Sequence, residues 1–247
     1  MSWLRYMTLV SACRFHEDIR LVVRRDPVRG SYDWAEKQDF QRPEPSTDWF
    51  PRIKTLPVEI VYLENLAPEV AAFRAPDVQT CDMLGWWILS NLGGVVADMD
   101  IVWLKPLPQF RGPVNFVRYS GLPRAGYATI SLLAGSPDPV WEKALANAML
   151  ACNPQVYASC GEQCLDQTVP GTLPETILNP WAGHLWAKYR RWLFEADDYP
   201  RIPEQTVGIE WYGGTNSDWS QKTTPETLPR HGAVRRALLA TLQEVAI

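Results

Sequence analysis

The chain has 247 residues, 46% of them apolar and 21% charged, enough to build a sizeable core in one domain or one domain with a subdomain. That excludes a disordered chain and a disulfide miniprotein, and 24 Lys and Arg against 28 Asp and Glu, a formal net charge of −4, give no electrostatic footprint for nucleic acid. Apolar stretches such as Met83 to Leu92 are broken by polar residues or glycine well short of the roughly 18 residues a spanning helix needs, so no transmembrane segment is expected.

In chain order, Trp3 to Arg14 carries an imperfect helical stripe at Leu4, Met7, Leu9 and Val10. Arg5 followed by MTLVSAC imitates a signal sequence, but its apolar run is about as short as such a segment allows, and it reads as the first helix of the fold. Asp18 to Arg24 predicts a strand, Arg25 to Pro51 a long ordered loop and Val58 to Leu63 a second strand. Asp77 is placed to cap a helix over Val78 to Leu92, with Gly93-Gly94 closing it in a left-handed turn before a strand at Val95 to Ala97. Strand, helix and strand in succession predict a parallel sheet covered by helices, whose ligands sit at the carboxyl ends of strands. Pro113 to Tyr119 and Ala128 to Ala134 read as strands and Pro139 to Cys152 as an amphipathic helix. Asn179 to Phe194 contains a helix, Thr206 to Tyr212 a strand, Gly213 to Thr224 a polar loop and Gly232 to Val245 a closing helix with Val234, Leu238, Leu242 and Val245 on one face.

Twelve Trp, nine Tyr and seven Phe supply flat amphipathic faces suited to sugar rings or nucleobases, or to a core in which indoles find hydrogen-bond partners. Five cysteines without a CxxC pair indicate neither a disulfide framework nor a zinc ribbon, so a reducing compartment and a cytoplasmic location are expected. Three scattered histidines argue against a His-rich metal site.

Asp98 and Asp100 end a β-branched run two residues apart, so in an extended chain both carboxylates project to one side. Their repulsion becomes attraction when a hard divalent cation, Mn²⁺ or Mg²⁺, sits between them and a phosphate, although most Asp-x-Asp triplets are solvated strand ends. The string of helix, Gly-Gly, hydrophobic strand, Asp98-Met99-Asp100, Ile101-Val102 and Lys105-Pro106-Leu107 resembles the DXD region of GT-A glycosyltransferases. It is most similar to the sugar-binding-region family numbered 32 and the related glucosyltransferase domain of large bacterial toxins. The resemblance implies an α/β fold of the GT-A (Rossmann-like) type, a mixed, mainly parallel sheet covered by helices with an irregular C-terminal acceptor side. One domain would span the chain, residues 1–107 forming the nucleotide-sugar half that ends in the DXD motif and 108–247 the acceptor half with a C-terminal lid loop.

Carried over position by position, the resemblance makes Asp82 a contact to ribose and donor sugar, Asp98 a contact to ribose and sugar hydroxyls, and Asp100 the direct metal ligand. Asp82 read without it is a solvated helix residue. The family's helix carries an Arg three residues after this Asp, where the present chain has Gly85 followed by Trp86 and Trp87; Trp86 then stands as a candidate donor contact. The family's opening strand, which cradles the nucleobase, has no counterpart before Trp3, so the chain is either shortened or recognises the base with other residues. Near the C-terminus, Gly208 to Ser220 resembles the loop that closes over the donor phosphates, with Ser217 and Trp219 as donor contacts and Glu210, or its rival Asn216, as a metal ligand. The alternative is a Gly-rich surface hairpin over a buried Trp211. Asp166 in GEQCLDQT, near Glu162, is a candidate stabiliser of an oxocarbenium-like transition state, or else a cap or surface charge. Trp181, His184 and Trp186 shape an acceptor pocket or pack in the core.

The resemblance implies a metal-dependent transferase that moves a hexose or N-acetylhexosamine from a nucleotide diphosphate sugar, UDP-linked, to a hydroxyl of a carbohydrate, lipid or protein acceptor with retention. The competing expectation is a GT-A relic that only binds sugars. A hydrolase finds no GxSxG elbow, P-loop or HExxH.

Overall fold

The structure, a computed structural model, describes residues 1–25, 47–118, 128–156, 159–181, 186–213 and 223–245. Helix α1 (Trp3–Cys13) starts at Ser2, whose hydroxyl accepts the Arg5 amide at 3.4 Å, and leads into strand β1 (Ile19–Val23). After a 3₁₀ turn at Phe50–Thr55 comes β2 (Val58–Tyr62), followed by two short helices, α2 (Leu63–Leu66) and α3 (Pro68–Ala72). Next are α4 (Asp77–Asn91), β3 (Gly94–Ala97), β4 (Ile101–Trp103), β5 (Val114–Arg118) and β6 (Ala128–Gly135). Helix α5 (Pro139–Ala151), α6 (Trp186–Phe194), β7 (Gly208–Glu210) and α7 (Ala233–Val245) complete the order.

The architecture is mixed α/β, but the expectation of a mainly parallel sheet is corrected. Among the described residues there are three small sheets: β1 and β2 are parallel, whereas β3-β6-β5 and β4-β7 are antiparallel. A strand, helix, strand order makes a parallel unit only when the two strands join one sheet. Here β2 pairs with β1, while β3 pairs with the much later β6, Gly94 facing Gly135.

Local rules hold better than pairing. Gly93 closes α4 at φ +70°, and a Cβ there would come within 2.9 Å of the Gly135 carbonyl, so both the turn and the approach of β6 require glycine. Asp77 does not cap α4; Pro76 occupies that position, and Asp77 instead pairs with Arg24 at 3.0 Å. Asp138 caps α5 by accepting the Val140 amide at 2.9 Å, with Pro139 preset in the first turn.

The two largest of four apolar clusters among the described residues flank the strands. In one, α4 and α5 close around Trp86 and Trp141 and pack on Phe116 and Leu133. In the other, α1, α6 and α7 surround Val102, Ile209 and Trp211 of the β4-β7 region. The segment that joins β3 to β4, Asp98 to Asp100, emerges between these cores. No helix among the described residues is long and apolar enough to cross a membrane.

Candidate functional site

The two aspartates occupy the turn where the chain leaves the β3-β6 ladder and enters the β4-β7 ladder. The Asp98 amide donates to the Ser131 carbonyl on β6 at 3.0 Å, and the Asp100 carbonyl accepts the Trp211 amide just beyond β7 at 2.8 Å. Both neighbours are thus fixed by backbone bonds to separate strands, which sets the direction of the carboxylates without relying on loop rigidity. In the β4-β7 register Ile101 faces Glu210, and this antiparallel pairing brings a carboxylate from 110 positions away to the same turn. One carboxylate oxygen from each of Asp98, Asp100 and Glu210 lies within 4.8 Å of the others.

Each member is held differently. Gly213 donates its amide to Asp100 Oδ2 at 2.8 Å, leaving Asp100 Oδ1 buried and without a hydrogen-bond partner. A buried carboxylate oxygen in that state is costly unless something positive meets it. Glu210 is buried, its Oε1 accepts the Ser131 hydroxyl at 2.7 Å, and its carbonyl accepts the Tyr189 phenol at 3.3 Å. Asp98 keeps an exposed flank at the mouth of the cluster. The crowding of protein around its carboxyl pushes its pKa up to about 7, with the charge of Asp100 adding to the shift and the Ser131 hydroxyl and Arg5 opposing it. Desolvation also raises Asp100, against the Gly213 amide and the charge of Arg5.

Asp82 on α4 borders this cluster. Loss of solvent raises its pKa well above the ordinary carboxylate range, and the charges of Asp98 and Glu162 push in the same direction. The backbone at Gly161 presses on it; a Cβ there would stand 2.8 Å from Asp82 Oδ2. The shift favours the protonated form, and a protonated carboxyl can donate a hydrogen bond as well as accept one.

The remaining sequence-predicted residues fall elsewhere. Asp166 is not gathered into the cluster: Lys143 Nζ pairs with its Oδ2 at 2.6 Å, while Thr168 donates its amide and hydroxyl to Oδ1 at 2.9 and 2.8 Å. Its carboxyl is held well below the usual range, first by Lys143 and then by Thr168, so it serves as a turn cap with a surface ion pair, which is the cap or surface-charge reading of its sequence context and not the candidate catalytic one. The expected donor contact at Trp86 is corrected. It is fully buried, stacks on Trp141 with ring centroids 6.0 Å apart and donates its indole N–H to the Cys160 carbonyl at 2.8 Å, which puts it out of a ligand's reach. Trp181 packs among Tyr189, Trp192 and Tyr199 rather than lining a pocket. Ser217, Trp219, Asn216 and His184 lie outside the described residues, as does the side chain of Trp186.

Sequence reasoning overlooked Ser131 and Gly213. A lone hydroxyl in the aliphatic strand Ile130 to Ala134 was the available signal for Ser131; Gly213 contributes a backbone amide, which leaves no trace in residue type. No family model matches the chain, and no curated protein sequence does.

Proposed function

We propose that the chain is a divalent-cation-dependent glycosyltransferase with a GT-A type of architecture, transferring a hexose or N-acetylhexosamine from a UDP-linked donor to an acceptor hydroxyl with retention. The observation that carries the reading is the convergence of Asp98, Asp100 and Glu210, with Asp100 Oδ1 buried and unpartnered among them. Three carboxylates form a hard, all-oxygen donor set, which suits Mn²⁺ or Mg²⁺ rather than metals that prefer sulfur or imidazole. When bound, the cation takes up negative charge on the departing diphosphate.

The protein's own residues have defined parts in this reading. Gly213 and Ser131 orient Asp100 and Glu210 before any ligand arrives, so little reorganisation accompanies binding. Asp82, whose surroundings favour the protonated form, is suited to hydrogen-bond a donor hydroxyl beside the metal, in line with the role the resemblance implies. Asp98 faces solvent at the mouth, where the sugar hydroxyls enter. The spacing of Asp82, Asp98 and Asp100 along helix, turn and strand end supports the GT-A reading, and Asp166, committed to Lys143 and Thr168, is given no part.

The test is a thermal-shift series with UDP, GDP, UDP-glucose, UDP-GlcNAc and GDP-mannose, each with and without Mn²⁺, since a ligand of the native state raises the melting temperature by mass action. A rise that requires both Mn²⁺ and a uridine nucleotide is expected. A folded protein that none of these combinations stabilises contradicts the proposal.

A further inference from the structure

Helix α1 carries one charge, and its surroundings make that charge unusual. From Trp3 to Ala12 every residue is buried except Tyr6, which is half-buried, and Arg5, which is exposed. The face of the helix that bears Arg5 runs along the acidic turn. One turn after Arg5, the Thr8 hydroxyl donates to the Met99 carbonyl at 3.4 Å, and further on Ser11 Oγ accepts the Trp103 amide at 3.0 Å. Residues three apart share a helix face, so Arg5 extends this line past Met99 toward Asp98, while Asp100 lies between the two contacts. Its positive charge acts on Asp98, Asp100 and also Cys81, the residue beside Asp82 on α4. Yet it forms no ion pair with any described residue.

Charge balance gives this cation a purpose. Three carboxylates and one divalent cation leave a net negative charge, which repels a diphosphate unless a further positive group stands close. Position 85 on α4, where the resemblance places an Arg, does not supply it: Gly85 is buried, and a Cβ there would meet Val96 at 3.5 Å and Leu133 at 4.0 Å. A guanidinium stem at that site would enter an aliphatic layer.

We propose that Arg5 is an anion-binding residue of the metal cluster, its guanidinium taking diphosphate oxygens from the α1 side while the cation holds them from the side of Asp100 and Glu210. The inference rests on the reading of the cluster as a metal-diphosphate site. Planar, permanently charged guanidinium groups are suited to paired phosphate oxygens.

Calorimetric titration of the full chain with Mn²⁺ alone, and then with inorganic pyrophosphate at saturating Mn²⁺, separates the two ideas. For Arg5→Ala, Mn²⁺ affinity should be unchanged or slightly higher, while pyrophosphate affinity falls by about tenfold or more, with Arg5→Lys between the two. Equal pyrophosphate affinity in wild type and Arg5→Ala, or no pyrophosphate binding to a wild type that does bind Mn²⁺, overturns the role of Arg5. A wild type that fails to bind Mn²⁺ defeats the metal reading itself. Arg5→Gln, which keeps a long polar side chain on α1, provides the same comparison if the alanine variant misfolds.

Discussion

Asp100→Asn is expected to remove measurable Mn²⁺ binding and to lower transferase turnover by about a hundredfold or more, while the fold survives. The amide can still accept the Gly213 N–H through its oxygen, and the Trp211 amide still bonds the backbone carbonyl of residue 100, so the β4-β7 junction keeps both anchors. What disappears is the negative charge on the oxygen that now lies buried without a partner. Because that charge sits beside Asp98 in metal-free protein, its removal should leave the melting temperature at pH 8 equal to or above that of wild type. Loss of Mn²⁺ binding together with collapse of the fold would mean that residue 100 is structural. Retention of full Mn²⁺ affinity would remove it from the metal site.

Trp86→Ala carries the largest expected loss of stability, about 3–5 kcal/mol by analogy with other buried aromatic truncations. The ring lies fully inside the core formed by α4, α5 and the β5-β6 strands, stacked on Trp141, and its deletion leaves the Cys160 carbonyl without its donor. Urea denaturation measures the difference, and Trp86→Phe should recover part of it because most of the volume returns. Neither the phenylalanine variant's Mn²⁺ affinity nor its nucleotide affinity should change. If Trp86→Phe stayed stable but lost nucleotide binding, the ring would belong to the donor site after all.

The carboxyl cluster also sets a pH dependence. Asp98 has its pKa pushed up to about 7, and Asp82 and Asp100 are raised as well, in each case first by desolvation; Asp98, Asp100 and Glu162 supply the repulsion, and Arg5 partly relieves Asp98 and Asp100. These groups hold protons more tightly in the folded chain than in the unfolded one. For Asp98 the resulting contribution to stability is fully present below about pH 4, the range of an unfolded carboxyl, and is lost as pH rises through about 7; for Asp82 and Asp100 the sign is the same. Mn²⁺ at the proposed site would require the ionised carboxylates, so its binding should release protons and tighten as pH rises from 5.5 to 8. The Mn²⁺-induced rise in melting temperature should grow over that interval, and an increment that stays flat or shrinks would show that these carboxyls do not titrate with binding.

What the sequence makes legible follows the range of the interactions involved. Helix α1, helix α5 and the Gly93 turn are set by nearby residues, and the structure places them within a residue or two of their expected bounds. The juxtaposition of Asp98 and Asp100 is local in the same sense. Strand pairing is not: the pattern Gly94 to Ala97 is the same for a parallel or an antiparallel partner, and the choice of β6 depends on residues some 40 positions later. Only a resemblance singles out Glu210 in the sequence, and its approach to the aspartates rests on the antiparallel β4-β7 register. For Trp86 and Asp166 the sequence leaves two outcomes open, because composition does not distinguish an indole that stacks on Trp141 from one that stacks on a sugar, or a carboxylate that caps Thr168 from one that meets a substrate. Arg5 was visible only as part of an apparent leader segment, and its relation to the acidic turn depends on how α1 lies along β4.

The most direct measurement is a titration of the wild-type chain with Mn²⁺ at pH 8, following free Mn²⁺ by electron paramagnetic resonance, alongside Glu210→Gln. The account predicts one saturable site whose affinity falls by about tenfold or more when the third carboxylate, contributed by β7, loses its charge. No saturable site in the folded wild type, or the same affinity in both proteins, would contradict the claim that Asp98, Asp100 and Glu210 form a metal centre.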